Sequence, residues 1–100
     1  MRTLIFTVYD NAVKAYLQPF FCRSKGEAVR SFTDACNDEK SQFNKYAADY
    51  VLFFLGEFDD AEGLFYPIGN GGPTRVISAQ EVMFDSVFPA EKRSPGVTLR

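Results

Sequence analysis

The chain has 100 residues, enough for one hydrophobic core and too few for a second domain. Its 46% hydrophobic content, with eleven Phe and five Tyr, lies far from a disordered composition, and a formal charge of -2 excludes a DNA-condensing polycation. There is no His, and the two cysteines, Cys22 and Cys36, sit at no zinc or redox spacing, so they read as small buried hydrophobes in a reducing compartment.

Residues 3–9 (Thr-Leu-Ile-Phe-Thr-Val-Tyr) alternate with period two and predict a strand, with Leu4, Phe6 and Val8 on one face and Thr3, Ile5, Thr7 and Tyr9 on the other. This onset of alternation leaves an N-terminal apolar run too short for a signal peptide. No stretch reaches the length of a membrane span, so the chain reads as cytoplasmic. Asp10-Asn11 is a turn, and Pro19–Arg23 predicts a second strand that starts where a missing N–H donor is tolerated.

Ser24 followed by Glu27 has capping-box spacing. Beyond it, Ala28, Val29, Phe32, Ala35 and Cys36 form one apolar stripe, which predicts a helix ended by Asn37-Asp38. A short helical turn is expected around Phe43 and Tyr46. Tyr50 to Phe58 is apolar at nearly every position, the pattern of a central strand covered on both faces. Asp59–Gly63 makes a hairpin loop returning through Leu64-Phe65-Tyr66. Gly69–Pro73 is a loop, Thr74–Ile77 a last strand, and Ser78 caps a short helix. Residues 1–88 form the domain and 89–100, with Pro89, Pro95 and Gly96, a flexible C-terminal tail. The order ββα(α)ββ predicts an α+β fold, a small antiparallel sheet with the main helix packed on one face.

No constellation of residues supports catalysis. Gly69-Asn70-Gly71-Gly72 lacks the Lys-Ser/Thr of a phosphate loop, and Pro73 blocks a helix start there. Asp59, Asp60 and Glu62 are solvated turn acids without the spacing of a calcium loop. Ser and Cys nucleophiles would lack a His base. The chain therefore reads as a binding protein without a cofactor, and not an enzyme.

Charge is uneven. Residues 1–45 carry seven basic against five acidic side chains, residues 46–85 one against seven, and the last fifteen three against one. This points any polyanion contact to the N-terminal half. Lys14, Tyr16, Phe21, Arg23, Lys25 and Arg30 there combine cations that meet phosphates with rings on which bases stack. The plainer reading makes them ordinary surface charges beside core aromatics.

Tyr9-Asp10, Lys14-Ala15, Pro19-Phe20 and Gly26-Glu27-Ala28-Val29-Arg30-Ser31-Phe32 form a recognisable series. It continues through Asn37, Phe43, Asp49-Tyr50, Leu52, Leu55-Gly56-Glu57-Phe58-Asp59 and Gly63. Over these first two-thirds the chain resembles the small non-structural protein of gokushoviruses, single-stranded DNA phages of the microvirus family. It departs at Tyr46–Tyr50, where the His-Pro that often precedes the Asp-aromatic pair is missing. The resemblance implies a protein made in the cytoplasm of the infected bacterium, acting in single-stranded genome synthesis or packaging by binding single-stranded DNA. The alternative is a homodimeric scaffold or adaptor to phage replication or capsid proteins, without DNA affinity. It is motivated by the doubly apolar 50–58 strand, whose aromatic face, if uncovered, would be a partner surface.

Overall fold

In the computed structural model, which describes residues 1–69 and 71–83, the alternation after Met1 becomes strand β1 (Arg2–Asp10). A four-residue turn, in which Lys14 takes a positive φ of 59°, leads into β2 (Ala15–Tyr16) and then β3 (Phe20–Cys22). The predicted 19–23 strand is thus shorter than expected, and β2 precedes it. Two residues have too little pattern to announce a strand; β2 exists because Tyr9 and Asp10 pair with Tyr16 and Ala15.

Helix α1 (Lys25–Cys36) begins at Ser24, whose hydroxyl accepts from the Glu27 N–H at 3.1 Å. The Glu27 carboxylate reaches one residue beyond the cap and accepts from the Arg23 N–H at 2.7 Å. A single-turn helix α2 (Gln42–Lys45) and a 3-10 turn over Ala47–Asp49 follow. Strand β4 (Tyr50–Asp59) then crosses the molecule. The chain returns as β5 (Leu64–Pro67), β6 (Thr74–Ser78) and the short helix α3 (Ala79–Val82), for which Ser78 and Glu81 form a capping box. Gly63, at φ 70°, closes the β4–β5 turn where a side chain would be strained.

All pairings are antiparallel. β1 and β4 lie side by side in the centre. β2 and β3 share the outer edge of β1, while β5 and β6 share the outer edge of β4. Each outer position is therefore one strand in two pieces. The 50–58 segment is central, as expected, but helices cover it on one face and not on both.

The helix-covered core lies on one face. Phe6, Val8 and Cys22 from the first strands, Tyr50 and Leu52 from β4, Ala28, Phe32 and Cys36 from α1, and Ala79 and Val82 from α3 form a single buried cluster. Burying Phe6, Phe32 and Leu52 contributes about 1.5–3 kcal/mol each. Asn37 ties α1 to α3 within the helix layer, its side-chain amide donating to the Thr33 and Val82 carbonyls, both at 2.9 Å. The structure is mixed α+β and mostly sheet, with the main helix on one face. The boundary at residue 88 and the tail over 89–100 lie outside the described residues.

Candidate nucleic-acid interface

The face of the sheet turned away from α1 is built by the alternate residues of the same strands. Alternation places Thr3, Ile5, Thr7 and Tyr9 there from β1. Cross-strand register adds Tyr16 opposite Tyr9, Phe21 opposite Ile5, Phe53 opposite Thr7, Phe58 opposite Thr3, and Phe65 opposite Phe58.

A β-bulge decides the last of these. The β1–β4 register shifts between Ile5 and Phe6, with Gly56 opposite Ile5 and Phe54 opposite Phe6, so Leu55 is the extra residue. Unbroken alternation from Phe53 would put Glu57 on the open face and Phe58 beneath the helix layer. The bulge exchanges them, and Phe58 joins Phe53 on the same side. Gly56 makes this possible at φ 148°. A Cβ there would lie 2.4 Å from the Tyr66 carbonyl oxygen, so β5 could not approach as it does.

The rings gather in two clusters. Tyr9 and Tyr16 have centroids 4.7 Å apart, and Phe53 meets Tyr16 edge-on at 5.5 Å and Tyr9 at 6.1 Å. Phe21 meets Phe58 edge-on at 5.7 Å, and Phe58 lies 5.0 Å from Phe65. In each cluster an inner ring is half-buried and an outer one is exposed: Tyr16 at 47%, Phe21 at 52% and Phe65 at 66%. Beside these rings Ile5, opposite Phe21, and Thr7, opposite Phe53, are buried, and the Thr7 hydroxyl donates to the Leu17 carbonyl at 2.6 Å. That bond holds the interrupted edge closed where β2 and β3 part.

Of the residues expected from the sequence to meet DNA, Tyr16 and Phe21 lie on this face, one in each cluster. Arg23, two residues beyond Phe21, is exposed just past the end of β3. Lys14 is exposed in the turn two residues before Tyr16, its Nζ donating to Asn11 Oδ1 at 3.1 Å. Lys25 is exposed at the first position of α1, where the chain leaves the sheet. Arg30 is not brought together with the others. Ala28, Phe32 and Cys36 turn the opposite side of α1 to the core, so Arg30 points to solvent from the helix layer, across the sheet from the rings.

Arg2 and Arg75 are already engaged. Arg2 lies 3.8 Å from the centroid of the Tyr66 ring, 2.9 Å from Glu57 and 3.7 Å from Asp59, and its guanidinium is held further into the charged state by the Glu57 bond. Arg75 pairs with Glu81 at 2.8 Å. Among the described residues Lys14, Arg23, Lys25 and Arg30 form no ion pair.

Sequence reasoning placed Tyr9 on this face but left Tyr9, Phe53, Phe58 and Phe65 out of the site. Phe53 was legible from alternation. Phe58 and Phe65 were hidden by the bulge, for which a glycine inside an apolar strand was the available signal. Among the described residues no group of three or more His, Cys, Asp or Glu is placed to hold a metal ion, and no helix is long and apolar enough to cross a membrane.

These features define a small α+β protein with a half-covered antiparallel sheet and a ring-bearing open face. The family described as Phage ORF5 protein matches residues 3–82, and the chain belongs to that family. It is 30% identical over 96 residues to Protein ORF5 of Chlamydia phage 1, a gokushovirus of the Microviridae; the match covers 92% of this chain and 99% of that protein. No solved structure matches. The gokushovirus resemblance read from the sequence is thus matched by a small phage protein.

Proposed function

We propose that this chain is a non-structural phage protein that binds single-stranded DNA across the open face of its sheet. It would act in the cytoplasm of the infected bacterium, in synthesis or packaging of the single-stranded genome, without catalysing a reaction. The observation that carries this reading is the row of exposed rings on one face, with the unpaired cations Lys14 and Arg23 at its two ends. Flat rings accept any base, and the cations meet the phosphates that flank it, which gives affinity without sequence preference. A duplex keeps its bases stacked inside and offers the rings nothing.

Fluorescence anisotropy with a labelled oligothymidylate and with a duplex tests this. Single strands should bind and duplex only weakly. Affinity should fall steeply between about 50 and 200 mM salt, and Arg23→Ala should reduce the salt slope by about 0.7. Failure of a single strand to bind at low salt ends the reading.

A second reading is a homodimeric scaffold or adaptor for phage replication or capsid proteins. Strand β5 favours it: this outer strand has no charged side chain, and Leu64 and Phe65 are exposed at 50% and 66%. A dimer paired along β5 should appear in light scattering and dissolve in Leu64→Lys.

A further inference from the structure

Two separated ring clusters say more than that bases can stack. Resting on the single-stranded DNA reading, we infer that the open face holds two distinct base-stacking subsites, Tyr9–Tyr16–Phe53 and Phe21–Phe58–Phe65, that one strand occupies with alternate nucleotides.

The spacing follows from the register. Tyr16 stands opposite Tyr9 and Phe21 opposite Ile5, four residues along β1. At a rise of about 3.3 Å per residue Tyr16 and Phe21, the exposed rings of the two clusters on the β2–β3 edge, are roughly 13 Å apart. An unstacked strand advances about twice the ~3.4 Å rise of stacked DNA per nucleotide, so two steps span this distance. The first and third bases of a trinucleotide then reach the rings. The second lies over Thr7, midway between Tyr9 and Ile5 on β1 and facing no ring on the β2–β3 edge; Thr7 is buried and its hydroxyl is committed to Leu17. Lys14 flanks one subsite and Arg23 the other, so a phosphate at each end meets a cation.

The bulge at Leu55 makes the second subsite. It brings Phe58 between Phe21 and Phe65, at 5.7 and 5.0 Å, on the side where Phe53 supports the first. Without it Glu57 would stand there and repel a phosphate.

The test is a length series of oligothymidylates, measured by competition against a labelled twenty-nucleotide strand. From two to three nucleotides affinity should jump by the value of one added stack, about five- to 150-fold. Each further nucleotide should add far less. A trinucleotide with an abasic second position should bind as the intact one does, and an abasic first or third position should lose the jump. Tyr16→Ala and Phe21→Ala should each reduce the trinucleotide to the dinucleotide level. Tyr16→Leu, which keeps apolar bulk but removes the ring, should do the same, and circular dichroism confirms that each variant is folded.

If the twenty-nucleotide strand binds but affinity climbs smoothly with length, the two-subsite inference is overturned and DNA binding stands. If that strand does not bind at low salt, both fall. A dimer that Phe21→Ala dissolves, without DNA binding, assigns the face to a second copy and overturns the inference as well.

Discussion

The two faces of the sheet are written by the same strands in alternate residues, and they have opposite fates. On the covered face Phe6, Leu52 and Phe32 interlock at 1%, 0% and 3% exposure. On the open face rings of the same chemical type pack against each other, with no helix over them, and keep their outer members in water. The difference is one of partners. Apolar side chains by themselves do not define a core; a second layer does, and here the helices are all spent on one side. Aromatic content without a covering layer is a feature that folding does not require, which is why the open face carries the functional argument.

Substitutions should divide along that line. The largest effect is expected from Phe32→Ala, which opens a cavity between α1 and the sheet and should cost about 3–5 kcal/mol in urea unfolding. Phe21→Ala, the same chemical deletion on the open face, should cost about 1 kcal/mol or less. Equal losses would mean that the open face is covered in solution.

A smaller effect, about 1–3 kcal/mol, is expected for Gly56→Ala, because the new methyl group meets the Tyr66 carbonyl and φ 148° strains any side chain. This variant sharpens the comparison by perturbing the point where β4 switches which residues face which side. Near-UV circular dichroism should report the altered surroundings of Phe58, and an unchanged unfolding midpoint would contradict the close approach of β5.

The smallest effect concerns the covered face alone. Cys36 is fully buried, and burial pushes its thiol up to about 12 from an ordinary 9.0. The unfolded thiol ionises first, so above about pH 9 the folded state holds the extra proton and stability falls as pH rises. Urea midpoints at pH 8 and pH 10 should drop further in the native chain than in Cys36→Ala. The native thiol should also resist Ellman's reagent until the chain unfolds.

Much of this was readable from the sequence. β1 announced itself by alternation, α1 by Ser24 and its apolar stripe, and β4 by an unbroken apolar run. Each is a local pattern long enough to outweigh its neighbours. β2 was not readable, because a two-residue strand is defined by its partner. Within β4, an almost continuous apolar run left the faces of Glu57 and Phe58 unassigned, and the bulge reverses the alternation there, since one extra residue reverses every position after it. The site was half legible. Tyr16 and Phe21 were found from residue type. Arg30 was grouped with them because helix periodicity gives its exposure but not the side of the sheet on which the helix lies.

Neither outer edge of the sheet runs unbroken. One is cut between Tyr16 and Phe20, with Pro19 in the gap. The other is cut between Pro67, which ends β5, and Pro73, just before β6. A neighbouring chain could therefore find a few free amides in register and then lose them at a proline that has none to give. Stacking of sheets edge to edge into a fibre would meet these breaks within a few residues, so a sheet with this many exposed rings carries edges that template a long ladder poorly.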